Sequence, residues 1–153
     1  MSDVKELSLT RHIDAPVEMV WDVLVNRQEE WFCPKPWRAE IVNQDRRPGG
    51  RCEMTFYGPD GEVMPQNGIY LAFDEGRRFV TTDAMIHGDD GDFEPSGPFM
   101  IGIWEIEPDG DGTRFTGRAR HWTDEALEQH REMGFESGWG VMADQFKALC
   151  EAD

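Results

Sequence analysis

Positive charge is scarce in this chain. Its 15 Lys and Arg are set against 31 Asp and Glu, a formal net charge of −16. A surface that negative repels phosphate backbones and anionic membranes, so nucleic acid is not expected as a partner. Long apolar runs are missing. No stretch has the length and hydropathy of a membrane span, and the opening MSDVKELSLTRHID has no apolar signal core. Cysteine is sparse: Cys33, Cys52 and Cys150 form no CxxC and are odd in number. Free, mostly buried thiols in a reducing compartment fit that pattern, and a cytoplasmic location is expected. Nucleophile and nucleotide signatures are absent as well, with no GxSxG, no P-loop and no GxGxxG between strand and helix. Repeats, linkers and low-complexity tracts are also lacking.

What is present is a globular composition. Hydrophobic residues make up 39% of the 153 residues, with six Trp, which suits one domain over residues 1–153. Val4 to His12 alternates as an edge-like strand. Asp14-Ala15-Pro16 predicts a helix start, with Asp14 as cap. Val17, Val20, Trp21 and Leu24 then share one helical face, and Asn26 ends it. Gln28 to Phe32 predicts a further short turn, stopped by Cys33-Pro34-Lys35-Pro36. The period then falls to two. Strands are predicted around Trp37, Ala39 and Ile41, through Cys52, Met54 and Phe56, and over Gln66–Phe73, Phe79–Ile86, Phe99–Glu107 and Thr113–His121. Turns are predicted at Arg47–Gly50, Gly58–Gly61, Asp74–Arg77 and Pro108–Gly112. His87 to Ser96 reads as a polar loop.

From Phe135 onward, Phe135, Trp139, Met142, Phe146 and Leu149 form one bulky helical stripe. Gly134, Gly138 and Gly140 at its start predict a bend or a close backbone approach. The whole order predicts an α+β fold, an antiparallel sheet with helices on one side.

Several words in this order resemble the START-like, or SRPBCC, superfamily. They are Ile13-Asp14-Ala15-Pro16-Val17 with Val20-Trp21, Arg47-Pro48-Gly49-Gly50, Gly58-Pro59-Asp60-Gly61, Gly112-Thr113-Arg114-Phe115 and Gly138-Trp139. The nearer resemblance is to the polyketide-cyclase-like branch homologous to the C-terminal domain of the Hsp90 ATPase activator, from about Leu7 to Leu149. Pro98-Phe99 and the segment from His121-Trp122 through His130 to Gly140 look like an uncharacterised bacterial subgroup. The resemblance implies a helix-grip fold: a curved antiparallel sheet of about six to seven strands around a long C-terminal helix. Two short helices after the first strand would close one end, and a cavity would lie between sheet and helix. Superfamily members bind lipids, sterols, polyketides and plant hormones, and a few are enzymes. The fold therefore implies a pocket and not a reaction.

Trp31, Trp37, Met54, Phe56, Met85, Trp104, Phe135 and Trp139 are the expected apolar lining of such a cavity. His121 and His130 are the candidate polar contacts, or an acid or base at neutral pH. Inward Phe115, Gly117 and Ala119 would bring His121 inward too. Asp83 depends on register. With Phe79, Thr81 and Met85 facing in, it enters the cavity; with Val80, Thr82 and Ala84 facing in, it is exposed. The resemblance favours the first. The spacing of His121 and His130 is not a standard ligand pair, and DDGDFE does not follow the calcium-loop pattern, so neither a metal nor a cofactor is expected. Phe99, Ile101 and Ile103 oppose Met100, Gly102 and Trp104 in a strand apolar on both faces, which raises a homodimer. The function expected first is binding of a small, largely hydrophobic molecule. The alternatives are a cyclase- or hydrolase-type enzyme using His121 and His130, and a protein-binding module like the Hsp90 activator's domain.

Overall fold

A computed structural model describes residues 4–97 and 100–152. Strand β1 (Lys5–Ile13) leads into helix α1 (Val17–Asn26) and a 3₁₀ turn (Gln28–Glu30). Strands β2 (Arg38–Gln44), β3 (Arg51–Tyr57), β4 (Val63–Asp74) and β5 (Arg78–Thr82) follow as a meander. After the small strands β6 (Met85–His87) and β7 (Phe93–Pro95) come β8 (Ile101–Asp109) and β9 (Gly112–His121). Helices α2 (Asp124–Glu132) and α3 (Phe135–Glu151) end the chain. Seven strands make one sheet in the order β1-β9-β8-β5-β4-β3-β2, every pair antiparallel, and β6 pairs with β7 apart from it. The α+β, helix-grip expectation holds, and β1 is an edge strand as its alternation predicts.

Four local expectations are corrected. Asp14 does not cap α1: Pro16 occupies the cap position, and Asp14 Oδ1 instead lies 3.1 Å from His12 Nε2. The predicted strand Phe79–Ile86 stops at Thr82. The Thr82 hydroxyl accepts from the Ala84 amide at 3.1 Å and donates to the Met100 carbonyl at 3.1 Å. That side-chain turn takes a backbone donor the ladder would have used. The loop expected over His87–Ser96 contains β7, which pairs back on β6. The terminal helix is two helices. Thr123 caps α2 by accepting from the Ala126 amide at 3.0 Å. Gly134, at φ 98° and ψ 48°, turns the chain into α3, while Gly138 and Gly140 lie inside α3. Pro98, Phe99 and the predicted strand start at Phe99 lie outside the described residues.

Helix α3 lies over one half of the sheet. Its Phe146 meets Phe115 of β9 at 5.1 Å between ring centroids, its Trp139 meets Trp104 of β8 at 5.5 Å, and its length runs beside β1. Val20 and Leu24 of α1, Trp31, Phe115 and Phe146 are essentially fully buried in the core beneath it. The inner face of β3, β4 and β5 extends beyond that cover. On the outer face, Ile103 is only 4% exposed, between Val80 and Arg118 of the neighbouring strands. Of the face that raised a homodimer, Ile103 is thus covered within one chain, Ile101 is half-buried, and Phe99 lies outside the described residues.

Candidate functional site

The uncovered half of the sheet borders a cavity of about 640 Å³. The alternation of β3 turns Cys52, Met54 and Phe56 towards it, and β5 contributes Phe79 and Thr81. Trp104, Gly138, Trp139 and Met142 form the wall shared with α3. The opposite wall, Phe32, Cys33 and Pro34, sits in a loop that α3 holds. The Gln145 amide donates to the carbonyls of Trp31 (3.1 Å) and Cys33 (2.7 Å) and accepts from the Lys35 amide (3.0 Å). One side chain thus fixes three backbone groups that no regular element satisfies. Exposed Gln66, Asn67 and Met133 stand at the mouth.

Aromatic rings dominate the interior. Phe79, Trp104 and Trp139 form a near-parallel series, with interplanar angles of 22° and 13° and centroids 5.1 and 5.5 Å apart. Phe32 reaches both Phe56 (5.9 Å) and Trp104 (6.0 Å). No Asp, Glu, Lys, Arg or His lines the cavity among the described residues. Its titratable members are kept neutral at ordinary pH. Burial pushes the Cys33 and Cys52 thiols up to about 11 each, and pushes the Tyr70 phenol upward. Such thiols are poor nucleophiles.

Of the residues expected at the site, Trp37, Met54, Phe56, Trp104 and Trp139 line the cavity. Trp31 does not. It is 1% exposed, donates its indole N–H to the Val23 carbonyl at 3.0 Å and stacks on Phe146, so it belongs to the core. Phe135 lies behind the wall, against Trp139 at 4.9 Å. Asp83 and Met85 lie outside the lining, because β5 ends before them. Asp83 Oδ1 accepts from the Met100 amide at 3.2 Å, and Met85 is exposed on the separate hairpin. The inward register nevertheless holds for Phe79 and Thr81.

His121 and His130 are brought together, with Nε2 and Nδ1 3.0 Å apart, and both are buried. Neither lines the cavity. His130 is held edge-on against Phe135 (5.2 Å) and Trp139 (6.2 Å), one ring removed from it. Burial, and then the neighbouring His121, lower His130 to about 4. One nitrogen of the pair must accept from the other, so both rings cannot be protonated at these atoms. Among the described residues no group of three or more His, Cys, Asp or Glu is placed to hold a metal ion.

Sequence reasoning missed Gln28, Phe32, Tyr70 and Gly138. Phe32 and Gln28 follow a helix whose periodicity has ended, and the side chains that meet them come from later strands. Tyr70 falls within a predicted strand, and its inward direction was open to the same alternation that marked Met54 and Phe56.

The profile of the Activator of Hsp90 ATPase homolog 1-like protein family matches residues 14–151. A crystal structure of a Nitrosomonas europaea protein superposes with a TM-score of 0.86 at 33% identity, covering 96% of this chain and 94% of that one. A Mycobacterium smegmatis protein superposes with a TM-score of 0.78 at 28% identity, covering 99% and 98%. An AHSA1 protein from Silicibacter pomeroyi, 17% identical with a TM-score of 0.70 over 94% and 96%, shares the fold. No curated protein matches the chain. Across nearly its whole length, this chain belongs to the Activator of Hsp90 ATPase homolog 1-like family.

Proposed function

We propose that this protein binds a small, largely hydrophobic molecule in the cavity between the β3–β5 face and α3. Its fold is one that serves to bind ligands or proteins. The observation that carries the reading is the cavity of about 640 Å³ itself, walled by aromatic and methionine side chains and free of charged residues among those described. That is the size and chemistry of small-molecule sites. Trp37, Met54, Phe56, Trp104 and Trp139 are the contacts retained from the expected set, joined by Phe32, Phe79 and Met142.

The enzyme reading gains nothing from the histidine pair, which lies outside the lining. A protein-binding role, after the family's description, rests on the shared fold. The domain is taken to span residues 1–153. A cytoplasmic location fits three free cysteines, and no helix of the described residues is long and apolar enough to cross a membrane. Sedimentation reads the homodimer expectation directly.

Gly138 provides the test. It lines the cavity, and a Cβ built there meets nothing within 4 Å. Gly138→Leu projects a bulky side chain into the cavity without straining the helix. Thermal-shift screening of apolar compounds is expected to raise the wild-type melt, by about 2.7 kcal/mol of stabilisation at a hundredfold excess over Kd. The folded Gly138→Leu variant is expected to respond more weakly. A library that shifts neither protein, or both equally, sinks the reading.

A further inference from the structure

We infer, resting on the ligand-binding reading above, that the cavity takes an uncharged aromatic molecule bearing a hydrogen-bond acceptor, such as an aryl ketone, and that Gln28 is the donor that meets it. Gln28 opens the 3₁₀ turn, is 3% exposed and lines the cavity. Its Oε1 accepts from Gln44 Nε2 at 2.9 Å, and Gln44 Oε1 accepts from Arg46 Nε at 2.8 Å. A guanidinium only donates. Gln44 must therefore turn its oxygen to Arg46 and its nitrogen to Gln28, and Gln28 must answer with its oxygen. The amide flip that usually leaves such side chains ambiguous is settled by the arginine. Arg46 is itself fixed, donating to Asn26 Oδ1 at 2.9 Å and to the Val25 carbonyl. What this relay leaves to Gln28 is its NH₂ group, which has no acceptor among the described residues.

Trp104 of the same lining carries a further donor, set within the wall. The Trp104 indole N–H is buried and has no hydrogen-bond partner among the described residues. Donors without acceptors are costly where water is largely excluded, and the Gln28 NH₂ group on the lining calls for a ligand that brings an acceptor. Charge excludes the anionic acceptors. The lining holds no cation to pair with a carboxylate, and the chain around it carries −16. The near-parallel rings of Phe79, Trp104 and Trp139 favour a flat aromatic body.

The test compares 2-acetylnaphthalene with the near-isosteric 2-ethylnaphthalene and with 2-naphthoate, by titration of the full chain. The preference for the ketone over the ethyl compound is expected to fall about tenfold in Gln28→Met, the worth of one buried hydrogen bond. 2-Naphthoate is expected to bind wild type at least about tenfold more weakly than the ketone, for want of a counter-ion. Gln28→Met also strands the Gln44 amide, so a readout on wild type is needed too. The carbonyl stretch of the bound, isotope-labelled ketone is expected below its frequency in alkane. If both neutral naphthalenes bind, the preference is unchanged and the stretch unshifted, the acceptor proposal is overturned while the cavity reading stands. Naphthoate binding as tightly as the ketone overturns the neutrality claim. If none of the probes binds, both readings fall.

Discussion

His130 shows how much one buried ring can decide. Its folded pKa is lowered to about 4, against about 6.5 for an unfolded histidine. Between those values the unfolded chain binds more protons than the folded one. Stability from neutral His130 is therefore complete above about pH 6.5 and is lost as pH falls towards 4. At about 1.4 kcal/mol per unit, the loss is of order 3 kcal/mol. Exposed His12 works the other way. Hydrogen bonds to Asp109 and then Asp14 raise its pKa, so its contribution is present below its unfolded pKa and fades as pH rises through the folded one. His12 is common to both proteins in a comparison of wild type with His130→Phe. The melting temperature of wild type is expected to fall relative to the variant between about pH 6.5 and pH 5. Parallel pH profiles would show that His130 is not held neutral by the fold.

At the level of elements, the glycines of the C-terminal stretch separate by what surrounds them. Gly134 has φ 98°, and a Cβ there would sit 2.6 Å from Ser137 Oγ. Gly134→Ala is expected to destabilise by about 1–2 kcal/mol, the cost of a left-handed residue. Gly138→Ala, in open helix, is expected to stabilise by about 0.5–1 kcal/mol. Urea denaturation of the two variants checks both, and shifts of the same sign contradict the assignment. In sequence these glycines look alike, which is why a bend was readable but its position was not. The apolar stripe was legible because Phe135, Met142 and Phe146 keep helical spacing, and all three are buried. The alternation of Phe115, Gly117 and Ala119 likewise carried His121 inward. The end of β5 was hidden because one hydroxyl, on Thr82, decides it through a contact with Met100. The site was half legible for the same reason. Met54 and Phe56 follow a period, whereas Phe32 and Gln28 owe their places to Gln145, Gln44 and Arg46, which are distant in sequence.

Charge acts on the molecule as a whole. With −16 over 153 residues, self-repulsion opposes the compact state. The paired cations are mostly at the surface, where ion pairs contribute little, as with Arg47 beside Asp45 (2.7 Å). Raising salt from about 20 to about 500 mM shortens the screening length severalfold. The melting temperature is expected to rise by a few degrees, and a fall would mean that attractive pairs outweigh the net charge. The other molecular-scale property is the partial cover that α3 gives the sheet. Where the helix grips β1, β9 and β8, substitutions loosen the frame; over β3 to β5 they alter mainly the shape of the space. Those two sets of positions can therefore drift at different rates in descent. Relatives 33% and 28% identical keep this frame, and each is free to have reshaped that space without rebuilding its architecture.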